Sequence, residues 1–216
     1  MPPIYAEMRP DYLLRRMMIC LFALCAMVFG NAAFAADEPA VPAASAPAPT
    51  NYPKVTMHTN MGNIVIELYP DKAPKTVDNF LRYVKDGHYS GTLFHRVIKG
   101  MLIQGGGYDV KMHEKTRRPP IKNEANNGLS NAPLTVAMAR ENAPHTAAAQ
   151  FFININDNKS LDYPSQDGWG YCVFGKVIDG VDTLDKIQEV EVIPQRGLMD
   201  NIPVQQVIIE SVTINK

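Results

Sequence analysis

Apolar and polar residues alternate at the start of the globular part of the chain and then change to a helical spacing. Residues 55–60 and 63–69 alternate with a period of two on either side of Met61-Gly62, which predicts a β-hairpin. Residues 75–86 carry apolar side chains three or four positions apart. This spacing predicts an α-helix that ends at Gly87.

Short strand-like runs dominate the remainder of the chain. They cover residues 92–98, 101–104, 134–139, 150–155, 171–177 and 204–215. A second short helix is predicted at residues 181–187. Because the strands outnumber the helices and do not alternate with them, the pattern favours an antiparallel barrel or sandwich over a fold of βαβ units.

The N-terminal segment has the pattern of a secretion signal. Arg15-Arg16 precede an apolar run over residues 17–30, and small residues stand at Ala33 and Ala35. We predict a signal peptide over residues 1–35 and a periplasmic location for the mature protein. The alternative is a retained membrane anchor, for which the run is shorter than the about 20 residues that a spanning helix needs.

Composition divides the rest of the chain into a linker and a domain. Residues 36–53 are rich in alanine and proline, which is typical of a semi-extended linker. Residues 54–216 form the predicted globular domain, which we expect to act as a monomer with no stable membrane insertion once the signal is removed.

Charge and histidine spacing argue against two classes of function. The formal net charge is −1 and no basic stripe is visible, so nucleic acid is not an expected partner. The five histidines show no paired spacing and no cysteine pairs accompany them, so we predict no metal site. Gly105–Gly107 lack the flanking pattern of a phosphate-binding loop and are interpreted as a turn.

Arg96 is the most informative single residue. It stands between apolar, strand-forming neighbours, and strand alternation predicts that it shares a face with Phe94 and Ile98. A guanidinium stays charged and is costly to bury unless something accepts its hydrogen bonds. A guanidinium among apolar side chains is therefore a candidate site for donating hydrogen bonds to a peptide carbonyl or amide.

Five motifs in order resemble the cyclophilins, which are peptidyl-prolyl cis-trans isomerases. They lie at residues 94–98, 104–107, 138–140, 150–154 and 173–177. The resemblance implies a mainly β fold, a closed eight-stranded antiparallel barrel capped by two helices. It also implies an isomerase without a cofactor, whose partners are proline-containing unfolded or partly folded polypeptides.

The resemblance assigns roles to individual residues. It implies a catalytic arginine at Arg96, a supporting glutamine at Gln104 and the aromatic floor of a proline pocket at Phe152. The neighbouring Phe151 is left to the core. The implied substrate-binding residues are Met101, Leu102, Ala139, Arg140, Gln150, Leu161 and Tyr171.

Several positions depart from the usual cyclophilin pattern, and two of them lie in the implied pocket. Met101 stands where an aromatic residue normally lines the pocket, and Leu102 stands where methionine is usual. We therefore retain a second hypothesis, a proline-peptide-binding chaperone module with weak or no turnover. The first hypothesis is an isomerase that assists the folding of exported proteins.

Overall fold

The computed structural model describes residues 51–196 and 199–215, and the side chains of residues 51–194 and 200–215. The predicted first hairpin is confirmed as β1 (Lys54–Thr59) and β2 (Gly62–Leu68), which pair antiparallel from Lys54 opposite Glu67 to Thr59 opposite Gly62. Alternate side chains of both strands are fully buried. The period of two in the sequence thus matches the inward face of the sheet.

Nine of the described strands form one antiparallel sheet. The remaining described strands are β3 (Thr92–Leu93), β4 (Arg96–Ile98), β5 (Leu102–Gly105), β6 (Thr135–Met138), β7 (Phe151–Asn154), β8 (Val173–Asp179), β9 (Val192–Arg196), β10 (Met199–Pro203) and β11 (Ile208–Ile214). The order in the sheet is β3-β11-β1-β2-β8-β6-β7-β5-β4, and β9 and β10 form a separate hairpin.

The predicted strand over residues 92–98 is divided in two, and this changes the expected barrel. Its halves, β3 and β4, lie at opposite ends of the sheet order and are joined only by Phe94 and His95. Mainly β, antiparallel architecture with two helices is confirmed. The described sheet has nine strands where eight were expected, and β3 and β4 counted as one divided strand give the expected eight. Within the described residues, no strand pairing closes the sheet between β3 and β4.

The same division makes one predicted neighbour of Arg96 wrong. Phe94 and Val97, three residues apart, both lie in the barrel interior. Arg96 and Ile98 point to the other face, where Ile98 packs against Phe152 and its neighbours. Strand alternation holds within β4, but it does not extend across the break at Phe94 and His95.

Two helices complete the core, as predicted. These are α1 (Pro74–Lys85) and α2 (Val181–Gln188), and each buries its apolar stripe. Phe80 of α1 packs its ring 5.8 Å from that of Phe151, and Leu184 and Ile187 of α2 are buried in the same core. Among the described residues, neither helix is long and apolar enough to cross a membrane.

Buried apolar residues form two separate groups. The inner core fills the barrel and includes Phe80, Phe151 and Phe174. The second group, here called the outer cluster, consists of Leu102, Ala137, Phe152 and Val173. Because Phe151 and Phe152 are adjacent in β7, they point to opposite faces, and only Phe152 belongs to the outer cluster.

Candidate active site

Strand register brings three of the predicted residues together on the outside of the barrel. Arg96 in β4 lies opposite Gln104 in β5, and Gln104 lies opposite Phe152 in β7. The turn between β4 and β5 contains Gly100 at φ 69°, a conformation that side chains other than glycine disfavour. The eight-residue spacing of Arg96 and Gln104 is therefore the spacing of two facing positions in a tight hairpin.

A chain of hydrogen bonds links these polar side chains. Arg96 Nη1 donates to Gln104 Oε1 at 3.5 Å, and Gln104 Nε2 donates to Gln150 Oε1 at 3.0 Å. A Cβ on Gly107 would lie 2.5 Å from the Gln150 side chain, so only glycine leaves room for Gln150 there. Gly107 thus serves close packing beside the site, and the turn expected over Gly105–Gly107 is a bend at Gly106 and Gly107, because Gly105 is the last residue of β5.

Asp200 is the partner of Arg96 that the sequence did not indicate. Arg96 Nε donates to Asp200 Oδ1 at 2.7 Å and Nη2 donates to Oδ2 at 2.9 Å. Asp200 belongs to β10, whose hairpin with β9 lies beside β4. The hydrogen bonds from Arg96 are the main cause that lowers the pKa of Asp200 below its usual value.

Apolar side chains form a wall next to the arginine. Phe152 is the aromatic member of the outer cluster, and the ring of Tyr171 meets it edge-on at 5.6 Å. The partly buried side chains that pack against this cluster include Met101, Ala139, Leu161 and Tyr171. The predicted pocket residues are therefore assembled on one face, and Met101 and Leu102 keep its lining apolar.

The side chain of Arg140 is held by the protein itself. Its side chain is only 3% exposed, and its guanidinium lies 4.5 Å from the Tyr171 ring centroid. Nε donates to the Gly170 carbonyl, Nη1 to the carbonyls of Glu141 and Asn142, and Nη2 to Asp167. The side chain thus supports the loop beside the pocket, and both Ala139 and Arg140 line the adjoining cleft.

A cleft of about 250 Å³ adjoins this wall. Gln104, Ala139, Arg140 and Gln150 line its inner side. Besides Arg140, four charged residues line it, namely Glu114, Lys115, Arg117 and Glu141, and the last two form an ion pair at 2.8 Å. Ala139 lines the cleft and also packs against the outer cluster, so the two lie side by side, and together they are here called the groove.

Two neighbouring ionisable groups are unsuited to direct chemistry. His95 is buried beside the ring of Tyr108, and burial lowers its pKa to about 4. Cys172 is buried in the inner core, and burial raises its pKa to about 11, so the thiolate form of a nucleophile is disfavoured. No group of histidine, cysteine and acidic side chains among the described residues has the arrangement of a metal site.

The arrangement combines a fixed cation with an apolar wall. A guanidinium has five N–H groups, and Asp200 and Gln104 together accept three of them, which leaves two when the described residues are counted. The Arg96 side chain is 31% exposed, so it is only partly enclosed by the protein. Such a site can hold a ring against Phe152 and donate hydrogen bonds to the amide beside it.

Comparison with known proteins agrees with this geometry. Residues 54–214 match the sequence model of the family described as cyclophilin type peptidyl-prolyl cis-trans isomerase. The chain is 54% identical over 164 residues to peptidyl-prolyl cis-trans isomerase B of Escherichia coli, which covers 75% of this chain and 99% of that protein. It is 52% identical over 160 residues to a peptidyl-prolyl cis-trans isomerase of Acinetobacter baylyi, which covers 74% and 84% of the two chains.

Solved structures give the same result for the fold. A crystal structure of a cyclophilin type peptidyl-prolyl cis-trans isomerase from Cryptosporidium parvum has a TM-score of 0.63 and 28% identity, and the match covers 76% of this chain and 98% of that one. The same protein in the presence of the dipeptide ala-pro has a TM-score of 0.62, and the match covers 76% and 99%.

Proposed function

The chain belongs to the cyclophilin-type peptidyl-prolyl cis-trans isomerases, and on this premise we propose that Arg96 is its catalytic residue. The apolar surface at Phe152 binds the proline ring of the substrate. Isomerisation of an X–Pro bond requires no covalent intermediate. The barrier of about 18–20 kcal/mol comes from resonance between the nitrogen lone pair and the carbonyl. The catalyst must therefore stabilise the twisted amide, in which that lone pair is no longer shared.

A fixed cationic donor meets this requirement. In the twisted amide the nitrogen is pyramidal and its lone pair accepts a hydrogen bond, whereas the planar amide offers no such acceptor. The donors of Arg96 then stabilise the transition state more than the ground state, which is the condition for acceleration. Because Asp200 already holds the guanidinium, little reorganisation accompanies the reaction.

The remaining site residues position the peptide in this proposal. The proline ring packs on Phe152 between Met101, Leu102, Leu161 and Tyr171, since an apolar ring is favoured in an apolar pocket. Gln104 binds the carbonyl of the residue before proline, and the backbone of Ala139 and Arg140 aligns the preceding chain with Gln150 beside it. The presence of the dipeptide ala-pro with the Cryptosporidium parvum relative supports a ligand of this class.

The observation that carries the proposal is the pair of N–H groups that Arg96 retains beside the outer cluster. The test is the isomerisation rate of a short X–Pro peptide, measured by exchange NMR with the purified chain. We expect Arg96→Ala to lower turnover by about one to three orders of magnitude, or about 1.4–4 kcal/mol of transition-state stabilisation. The matched control is Arg82→Ala, which removes an exposed arginine on α1. Wild-type turnover in Arg96→Ala would contradict the mechanism.

A chaperone role that does not depend on turnover is the second candidate. Its motive is the altered lining at Met101 and Leu102, where a flexible methionine can adapt to several shapes of ligand. The same NMR titration separates the two roles. Isomerase function predicts exchange between the cis and trans peaks at catalytic enzyme concentrations. A binding module predicts shifted peaks at stoichiometric concentrations with no acceleration.

We further propose that the protein acts on exported polypeptides in the periplasm as a monomer. The support is the signal-like pattern over residues 1–35 and the linker composition over residues 36–53. Residues 1–50 lie outside the part of the chain that the structure describes. Mass spectrometry of the protein from a periplasmic fraction should show a chain that begins at or near Ala36. A full-length chain retained with the membrane would contradict the export proposal and leave the isomerase proposal unaffected.

A further inference from the structure

We infer that Asp200 is a positioning residue for Arg96, which fixes the plane of the guanidinium so that its two remaining N–H groups face the X–Pro bond. The inference rests on the proposed role of Arg96. It assigns a function in the active site to the β9–β10 hairpin, which stands apart from the main sheet and contributes no other residue to the site described above.

The geometry of the pair supports a directional role. Both carboxylate oxygens of Asp200 accept from different nitrogens of Arg96, at 2.7 and 2.9 Å. Two parallel hydrogen bonds between planar groups fix orientation as well as distance. Asp200 is itself held, because Asn201 Nδ2 donates to Asp200 Oδ2 at 3.1 Å.

Arg96 has no second constraint of similar strength among the described residues. Its hydrogen bond to Gln104 is 3.5 Å long, at the weak end of the range for such contacts. An arginine side chain has many rotamers, and an incompletely fixed one would sample orientations that aim no donor at the substrate. The catalytic donor would then be present but displaced, and a displacement of about 1 Å can cost a hundredfold in rate.

The charge of Asp200 persists under assay conditions. Its pKa is lowered below the usual carboxyl range, chiefly by the hydrogen bonds from Arg96, so the carboxylate is ionised at neutral pH. Because Nε and Nη2 donate to Asp200, the two remaining N–H groups of the guanidinium point away from the carboxylate. A neutral amide in place of the carboxylate offers one acceptor oxygen instead of two, and it cannot form the same bidentate pair.

The experiment compares three variants of the whole chain by peptide isomerisation and urea unfolding. We expect Asp200→Asn to lower kcat/KM about tenfold to a hundredfold, mainly through kcat, with the unfolding midpoint little changed. Asp200→Glu keeps the carboxylate and should recover most of this loss. Glu189→Gln is the matched control, because it removes the neighbouring pair of Glu189 with Lys99 and leaves Arg96 untouched; its turnover should equal that of the wild type.

A double-mutant cycle tests whether Asp200 acts through Arg96. In the Arg96→Ala background, Asp200→Asn should cause no further loss, because nothing remains to be positioned. The Arg96 Nε–H signal in NMR should also exchange with water faster in Asp200→Asn than in the wild type.

The outcomes separate this inference from the proposed function. Full activity of Asp200→Asn while Arg96→Ala is impaired would overturn the positioning role alone. Equal losses in both backgrounds would also overturn it, because Asp200 would then act independently of Arg96. Full activity of Arg96→Ala would instead remove the proposed mechanism on which the inference rests.

Discussion

Two arginine–aspartate pairs flank the groove, and they differ in what they leave available. The pair of Arg96 with Asp200 lies at the end of the sheet, and the Arg96 side chain is 31% exposed with two N–H groups left for a ligand. The pair of Arg140 with Asp167 supports a loop, and the Arg140 side chain is 3% exposed with four protein acceptors.

The difference shows that an arginine in a groove has two separate uses. Where protein carbonyls surround the guanidinium, its N–H groups donate to loop carbonyls that backbone N–H groups would bind in a regular element. It also stacks on an aromatic ring, as Arg140 does on Tyr171. Where one carboxylate holds a single edge, the other edge remains a donor for substrate. Accordingly, we expect changes at Arg140 to affect stability and changes at Arg96 to affect turnover.

The largest effect on stability should come from Arg140→Ala. The change removes a nearly fully buried cation from the carbonyls of Gly170, Glu141 and Asn142. We expect a loss of about 2–3 kcal/mol in the free energy of unfolding, measured by urea denaturation. Turnover per folded molecule should stay within about threefold of the wild type, because the part of this segment proposed to align the peptide is backbone.

Two other arginines serve as references in the same denaturation experiment. Arg82→Ala breaks an exposed pair with Asp78 on α1, and Arg96→Ala breaks the partly exposed pair with Asp200. Each should cost less than about 1 kcal/mol. The comparison of the two pairs fails if Arg96→Ala destabilises the protein as much as Arg140→Ala does.

The sequence predicted one side of this comparison well. Arg96, Gln104 and Phe152 lie in strands with clear periodicity, and a tight hairpin makes Arg96 and Gln104 face each other. The two helices could also be predicted from the spacing of apolar residues. Strand alternation likewise predicted that Phe151 and Phe152 lie on opposite faces of β7.

Tertiary contacts account for what the sequence did not predict. Asp200 is 104 residues from Arg96, and Pro194 and Pro203 interrupt the apolar pattern of its hairpin, so β9 and β10 were not predicted as strands. The break at Phe94 and His95 likewise has no local signal, because residues 92–98 are apolar enough for one continuous strand. Nor does any spacing indicate that the acceptors around Arg140 come from four different residues.

A smaller effect on turnover should come from Gln104→Ala. Gln104 accepts the 3.5 Å bond from Arg96 and donates to Gln150, so the change removes neutral, partly exposed hydrogen bonds. We expect kcat/KM to fall about fivefold, which corresponds to about 1 kcal/mol. Gln188→Ala is the matched control, because Gln188 is half-buried on α2 and its side chain bonds only to Asp185 among the described residues. A loss as large as that of Arg96→Ala would contradict this expectation and show that Gln104 does more than form these two hydrogen bonds, either by holding Arg96 or by binding the substrate carbonyl.

The smallest expected effect is on the free energy of unfolding at acidic pH, and it comes from Asp167, the carboxylate that pairs with Arg140. Hydrogen bonds from Ser165, from the Trp169 backbone and from Arg140 lower the pKa of Asp167 well below its usual value. A carboxyl group with a lowered folded-state pKa stabilises the protein above its unfolded pKa of about 4, and this contribution is lost as the pH falls towards the folded-state pKa. The difference in unfolding free energy between wild type and Asp167→Asn should therefore be largest near pH 6 and shrink steadily below pH 4. Ser165→Ala, which removes the first of these hydrogen bonds, should show part of the same change. Urea denaturation between pH 6 and pH 2.5 measures both curves, and a pH-independent difference would show that Asp167 supports Arg140 through shape and not through charge.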